Sequence, residues 1–385
     1  MDTTPVVSSA VDTEFANVAA AWNSLPALSP MQTCMWAQAA ARAFTNGQVR
    51  LATAGGASIT AVAPLFQTAG SKTLTVLGTE LFEITDFSYA DASAAEAVAK
   101  EILKLGAPVF LRSVNADSLL LEALRKVCRR RRIMITRPRP GSPWLPLDDS
   151  WKDPESHLNS GRRSDLRRAR RRAEKLGAVR TEFLRPQLDE LPRLLEIAFR
   201  VESANWKGRI SSSLETNPEV GCFYRHYAQA ACQRGMLHLG YLWIGDVPVA
   251  MQLAVEYNNG FWLLKMGFDE KFRSCSPGTL LMVESLRYAA EHAWQEYAIL
   301  GVSEPWNQMW TPLIRDHVSI RIYAGGLGGL YSAIGDGLAY LMRNGSSASK
   351  PFKPARMPAG LRSSAQAESK FRQVMKNVPH FFVVL

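Results

Sequence analysis

The stretch FDEKFRSCSPGTLLMVESLRYAAEHAW, residues 268–294, decides how the rest of the chain is read. A strand is expected to end near Phe268 and a helix to run from Pro277 to about Trp294, so Arg273, two serines and a Pro-Gly pair fill the loop between them. Ser276 stands where a side chain can cap the first turn. Pro277 suits the first helical position, because the N–H it lacks would be unbonded there anyway. The other first-turn amides and the positive end of the helix dipole then face the loop beside Arg273, and small residues let an anion approach the backbone. Two readings stand at this point: an ordinary capped helix, or a cradle for a diphosphate.

Working outward, residues 236–269 read as three strands joined at Gly245-Asp246 and at Asn258-Asn259-Gly260, both good hairpin signals. Before them come an arginine-rich helix ending at Gly177, a helical region near Leu188 to Val201 and a helix around Tyr224 to Arg234; after them a strand is expected from Tyr297 to Val302. Residues 49–67 read as strand, glycine turn, strand, a faint echo of the later meander. The class is α+β, with mixed, mostly antiparallel sheets flanked by helices. Between the halves, Thr136 to His157 holds five prolines, a density expected of an interdomain connector and not of a central strand. The expected division is residues 1–145, residues 146–335 and a basic tail over 336–385.

At 385 residues, 47% of them hydrophobic and 21% charged, the chain has the balance of a soluble globular protein with room for two cores. Its five cysteines are odd in number and never fall in a Cys-x-x-Cys spacing, and its six histidines form no metal-binding pattern, so neither a disulfide framework nor a metal is expected. No basic start followed by an apolar run marks a signal peptide, and no segment reaches the roughly 20 apolar residues of a membrane helix. Ile322 to Met342, with six glycines, reads as a turn plus a buried or interfacial helix. The expected location is the cytoplasm, extending to the inner face of the membrane.

The net charge of +10 is concentrated in the second half, in Arg162 to Lys175 and Arg343 to Lys376. Such clusters attract phosphate on a nucleic acid, a lipid or a small carrier. In SGRRSDLRRARRRAEKLG, residues 160–177, Leu166, Ala169, Ala173 and Leu176 form a narrow helical stripe and the arginines cover the rest. Most of these arginines read as a solvated face, whereas Arg162 or Arg163, near the helix start, can hold a phosphate. No reading module or aromatic platform accompanies the cluster, which disfavours nucleic acid.

The spacing Arg273-x-x-Ser276-x-Gly278 resembles the Arg/Gln-x-x-Gly-x-Gly/Ala loop of GNAT acyltransferases, which lies between the fourth strand and the helix that receives the coenzyme A pyrophosphate. SGRRSDLRRARRRAEKLG, ESANWKGR, MGFDEKFRSCSPGTLL and ILGVSEPWNQMW follow one another as in the CelD-like branch of that superfamily, a branch related to the Fem-type aminoacyl transferases. The likeness covers about residues 155–315 and, loosely, the first half. It implies two tandem GNAT-like domains, the first a degenerate copy without the loop. The sequence departs from the branch in two places: Ser276 stands where the wider motif has glycine, and Trp306-Asn307 stands where Tyr-Lys is usual.

The resemblance implies an acyltransferase using acyl-CoA and an amine acceptor on a sugar, amino acid or lipid, without a metal. Met266, Gly267, Arg273, Ser274, Cys275, Ser276, Gly278 and Thr279 would bind the cofactor. Arg162, Arg163, Trp206, Lys207, Trp306 and Asn307 would face the acceptor, and a basic surface suits an anionic or membrane-bound one. Backbone N–H groups of Leu263 to Phe268 would steady the oxyanion. A carboxylate must take the amine's proton, and Glu202, Glu256, Asp269 and Glu304 are the candidates. Cys275 is a lesser alternative as a covalent nucleophile. The run ELFEITDFSYAD, Glu80 to Asp91, either lines the cleft from the first half or forms a capped surface loop. Two rivals remain: a Fem-type transferase taking aminoacyl-tRNA, and a non-catalytic assembly factor.

Overall fold

A computed structural model describes residues 9–56, 58–81, 83–129, 132–204, 214–326, 329–335 and 382–384. The first half contributes α1 (Ser9–Ser24), α2 (Cys34–Ala43), β1 (Gly47–Ala54), β2 (Ala61–Thr68), β3 (Leu74–Val76), β4 (Ser88–Tyr89), α3 (Ala92–Lys104), β5 (Val109–Asn115), α4 (Leu119–Cys128) and β6 (Ile133–Pro146). The second contributes α5 (Ser160–Glu174), β7 (Val179–Leu184), α6 (Leu191–Ser203), α7 (Pro218–Gln233), β8 (Leu237–Ile244), β9 (Val247–Tyr257), β10 (Gly260–Phe268), α8 (Pro277–Glu291), β11 (Glu296–Ala298), β12 (Ile314–Tyr323) and β13 (Phe382–Val384).

Local chemistry accounts for the meander. Asn258 and Asn259 both take left-handed backbone, with φ of 48° and 58°. Short polar side chains tolerate that region, and two successive left-handed residues reverse the chain in the sense that matches strand twist. Tyr257 therefore meets Gly260, and β9 and β10 pair from there. Left-handed backbone at Leu300 and Gly301, with φ of 59° and 63°, stops β11 three residues after it starts, well short of the strand expected to reach Val302. The stripe on α5 is buried at Leu166, Ala169 and Ala173, while Leu176 lies beyond the helix and is exposed.

The strands join in one mostly antiparallel sheet of order β1-β2-β3-β5-β12-β6-β11-β10-β9-β8-β7, with β4 on β2 and β13 on β6. Parallel contacts occur at β3–β5 and at β10–β11. The two halves exchange strands at the centre: β12, late in the chain, inserts between β5 and β6, and β6 reaches across to β11.

The proline-rich run is thus not the connector its composition suggests, since Pro138, Pro140, Pro143 and Pro146 lie inside β6. On one flank β6 pairs with β12 along most of its length. On the other, β13 covers only Met134 to Thr136 and β11 only Trp144 to Pro146. Between those stretches the second flank has no strand among the described residues, so a missing N–H there forfeits no ladder bond. The remainder of the run, 149–157, winds into two short 3-10 turns and buries Trp151.

Helical layers lock the halves further. α1 and α2 share one core with α6 and α7, where Trp36 meets Phe223 and Tyr227 edge-on at 4.7 and 4.9 Å. Burying rings of this size contributes about 2–3 kcal/mol each. α5 and α8 cover the opposite face of the second half-sheet, and α3 and α4 pack on the first. Among the described residues no helix is long and apolar enough to cross a membrane. The basic tail falls largely on 336–381, outside the described residues.

Candidate active site

β10 and β11 run side by side only where Gly260 to Trp262 meets Glu296 to Ala298. Beyond that the strands part, and among the described residues β10 keeps a strand partner, β9, on one side alone. A register shift between Leu263 and Lys265 puts a bulge at Leu264, a device that bends a strand. The amide of Asp269 donates to the carbonyl of Val249 at 2.9 Å. Backbone direction alternates along a strand, so Met266 and Phe268 turn their N–H and C=O groups away from β9, into the gap.

α8 opens against this gap. Ser276 precedes it with φ 47° and ψ 51°, left-handed backbone that costs a residue with a Cβ about 1–2 kcal/mol. The conformation explains why glycine would suit the position, and it corrects the expectation of a serine cap: the Ser276 hydroxyl makes no capping bond. Gly278 is buried, and a Cβ there would make ordinary contact with Phe268 at 3.4 Å and Met266 at 3.6 Å. The helix head therefore presents backbone, a free hydroxyl and its dipole to the gap.

A cleft of about 590 Å³ fills this splay. Its walls include Leu263 to Phe268, Arg273, Ser276 to Thr279, Ile299 to Val302, Glu304 and Trp306. Met266, Gly267, Arg273, Ser276, Gly278 and Thr279, expected at the cofactor, are thus brought together. Arg273 is 79% exposed and only loosely paired with Glu270 at 3.9 Å, so its guanidinium is available.

Other expected residues lie elsewhere, for physical reasons. The Cys275 side chain is fully buried in the core under α8, which removes it both as a cofactor ligand and as a nucleophile. Ser274 does not line the cleft, and its carbonyl accepts a bond from Arg172 Nε at 2.5 Å that ties α5 to the loop. Glu202 is buried and accepts the Leu214 amide at 2.9 Å. Glu256 pairs with Arg185 at 3.1 Å. Asp269 caps the Lys271 amide at 2.9 Å. None of these three carboxylates lines the cleft.

Glu304 does, and its Oε2 accepts the indole N–H of the rim residue Trp306 at 2.8 Å. Asn307 is buried: it donates to the Val302 carbonyl and accepts from the Glu304 amide, both at 2.9 Å, so it braces the loop instead of facing an acceptor. Arg162 lines a basic groove with Arg168 and Arg172 that adjoins Ser276 and Thr279. Arg163 instead donates to the Leu158 carbonyl at 3.0 Å. Trp206 and Lys207 lie outside the described residues.

Glu83, in the acidic-aromatic run of the first half, also lines the cleft. Burial pushes its carboxyl up to about 7, although Lys265 pulls it back. The sequence singles out the run and not this residue, because a lone glutamate in a loop carries no local signal of a contact some 180 residues away.

The sequence of residues 160–308 matches the family model for the Acetyltransferase (GNAT) domain. No curated protein matches the chain in sequence. Among solved structures, FemX aligns with a TM-score of 0.53 over 83% of this chain and 98% of its own, at 14% identity. The C-terminal domain (DUF2156) of a putative lysylphosphatidylglycerol synthetase from Agrobacterium fabrum gives 0.51 over 82% and 92%, at 12% identity. A conserved protein of unknown function from Bacteroides thetaiotaomicron gives 0.51 over 80% and 96%, at 10% identity. At such identities the likeness is one of fold, and it extends across both halves. Residues 160–308 are thus a GNAT acetyltransferase domain by sequence, and the chain as a whole shares the fold of FemX.

Proposed function

We propose that this chain moves an acyl group from acyl-CoA to an amine on a sugar, amino acid or lipid. The observation that carries the reading is the uncapped head of α8 beside the edge of β10 that has no strand partner among the described residues: the Gly278 amide and a dipole for a diphosphate, then a strand edge along which a pantetheine arm can bond. The amine nitrogen attacks the thioester carbonyl, a C–N bond forms, the C–S bond breaks and the thiolate leaves. Holding both reactants in line supplies much of the rate, and the inward amides of Met266 and Phe268 supply donors for the oxyanion. The apolar side chains of Leu264, Ile299, Leu300 and Val302 suit an acyl chain.

A basic groove lined by Arg162, Arg168 and Arg172 next to the helix head favours an anionic acceptor, and also a second reading in which aminoacyl-tRNA is the donor. Native mass spectrometry with acetyl-CoA and longer acyl-CoAs separates the two. One molecule of acyl-CoA per chain is expected, and a chain that binds aminoacyl-tRNA while ignoring every acyl-CoA would overturn the proposal.

A further inference from the structure

We propose that Glu83, a residue of the first half, is the base that deprotonates the acceptor amine in the second half's cleft. The inference rests on the acyl-transfer reading above and assigns a group within it. Glu83 shares a cleft wall with Lys265, Met266 and Gly267, and the Met266 amide is one of the two oxyanion donors assigned above. Its rivals are occupied or remote. Glu202, Glu256 and Asp269 lie off the cleft with partners of their own, and Glu304 holds the Trp306 indole.

Two neighbours shape the carboxylate. The Lys265 ammonium sits 5.1 Å from the ring of Tyr224, and that ring's buried phenol oxygen has no hydrogen-bond partner among the described residues. Burial, and after it the Glu83 charge, hold the Tyr224 hydroxyl in its protonated form. Burial of Glu83 outweighs the Lys265 charge, so the carboxyl titrates close to neutrality, where a base is both largely ionised and strong enough to accept a proton. Activity carried by the ionised form therefore falls as pH drops through the folded-state value.

The step balances as follows. The incoming ammonium passes one proton to the Glu83 carboxylate, leaving a neutral amine and a carboxylic acid. The amine lone pair forms the C–N bond, and collapse of the tetrahedral intermediate breaks C–S. Of the two protons left on nitrogen, one passes to the departing thiolate to give free coenzyme A and the other stays as the amide N–H. Glu83 then returns its proton to water.

The interlocked halves acquire a reason in this arrangement. β12 between β5 and β6, and α2 against α7, hold the Glu83 loop in fixed register with β10, as a base within hydrogen-bond reach of its proton requires.

The experiment uses the full chain, acetyl-CoA and hexylamine, with thiol release as the rate and calorimetry for coenzyme A affinity. Glu83→Gln should bind coenzyme A within about 2-fold of the parent, yet lose roughly 10²–10⁴-fold in kcat/KM together with the acidic limb of the pH profile. Glu83→Asp should keep that limb at reduced rate. Carbon-13 NMR of labelled glutamate carboxyls, compared between parent and Glu83→Gln, should assign a titration near neutrality to Glu83. A Glu83 titration near 4, or an unchanged pH limb in Glu83→Gln with coenzyme A still bound, overturns the assignment. Loss of coenzyme A binding in the parent itself would instead strike the donor reading.

Discussion

Two helix heads occupy the same place in the two halves. α3 precedes β5, which runs parallel to β3, just as α8 precedes β11, which runs parallel to β10. At α3 the capping residue is Asp91, in extended backbone, and its carboxylate accepts the Ala94 amide at 2.8 Å. At α8 the residue is Ser276, left-handed, with a hydroxyl that caps nothing. Room is not what separates them: the cavity beside α3 is about 860 Å³, larger than the cleft at α8, but Asp86, Asp91, Asp117 and Asp316 line it, against a single cation, Arg315, that pairs with Glu296. On the proposed reading, one architecture yields an anion site or an anion barrier according to the charge at the first turn.

The largest effect should come from giving the first turn of α8 an acidic side chain, as the head of α3 has. Gly278→Asp places a carboxylate at the open head and should weaken coenzyme A by about 2–3 kcal/mol, roughly 30- to 150-fold by calorimetry. Gly278→Ala, whose Cβ meets only ordinary contacts, should stay within about 3-fold. The converse change is milder. Asp91→Ala removes a cap and should cost about 1 kcal/mol in denaturant unfolding, while coenzyme A stoichiometry stays at one per chain; a second bound molecule would break the comparison. The smallest effect belongs to Ser276→Gly, which relieves left-handed strain but adds unfolded-chain entropy. A gain of at most about 1 kcal/mol, seen as a slightly higher Tm, is expected with donor affinity nearly unchanged.

What could be read in advance followed the range of the interactions involved. The meander, the arginine helix and the α8 start announce themselves through side-chain periodicity and turn chemistry within a few residues, and all three stand. β6 was hidden because its prolines are tolerable only where one flank lacks a partner, and which strands flank it depends on β11 and β12, more than 100 residues later. Ser276 kept its place but not its expected role, since capping depends on a φ angle that residue type alone does not set. Asn307, read as an acceptor contact, turned out to be a buried brace, because Trp306 took the rim and left the amide beside it to satisfy the loop backbone. Glu83 was the least legible, being brought to its cleft purely by topology.

The late arrival of β12 has a consequence for biosynthesis. A ribosome that has released residues 1–146 has made β5 and β6 but not the strand that lies between them, so a wedge-shaped gap stays open until Tyr323 emerges. Long-range pairing of this kind is slow and leaves unsatisfied strand flanks exposed in the meantime. Nascent chains should therefore lean on holdase chaperones through nearly the whole of translation, and neither half is suited to being expressed alone.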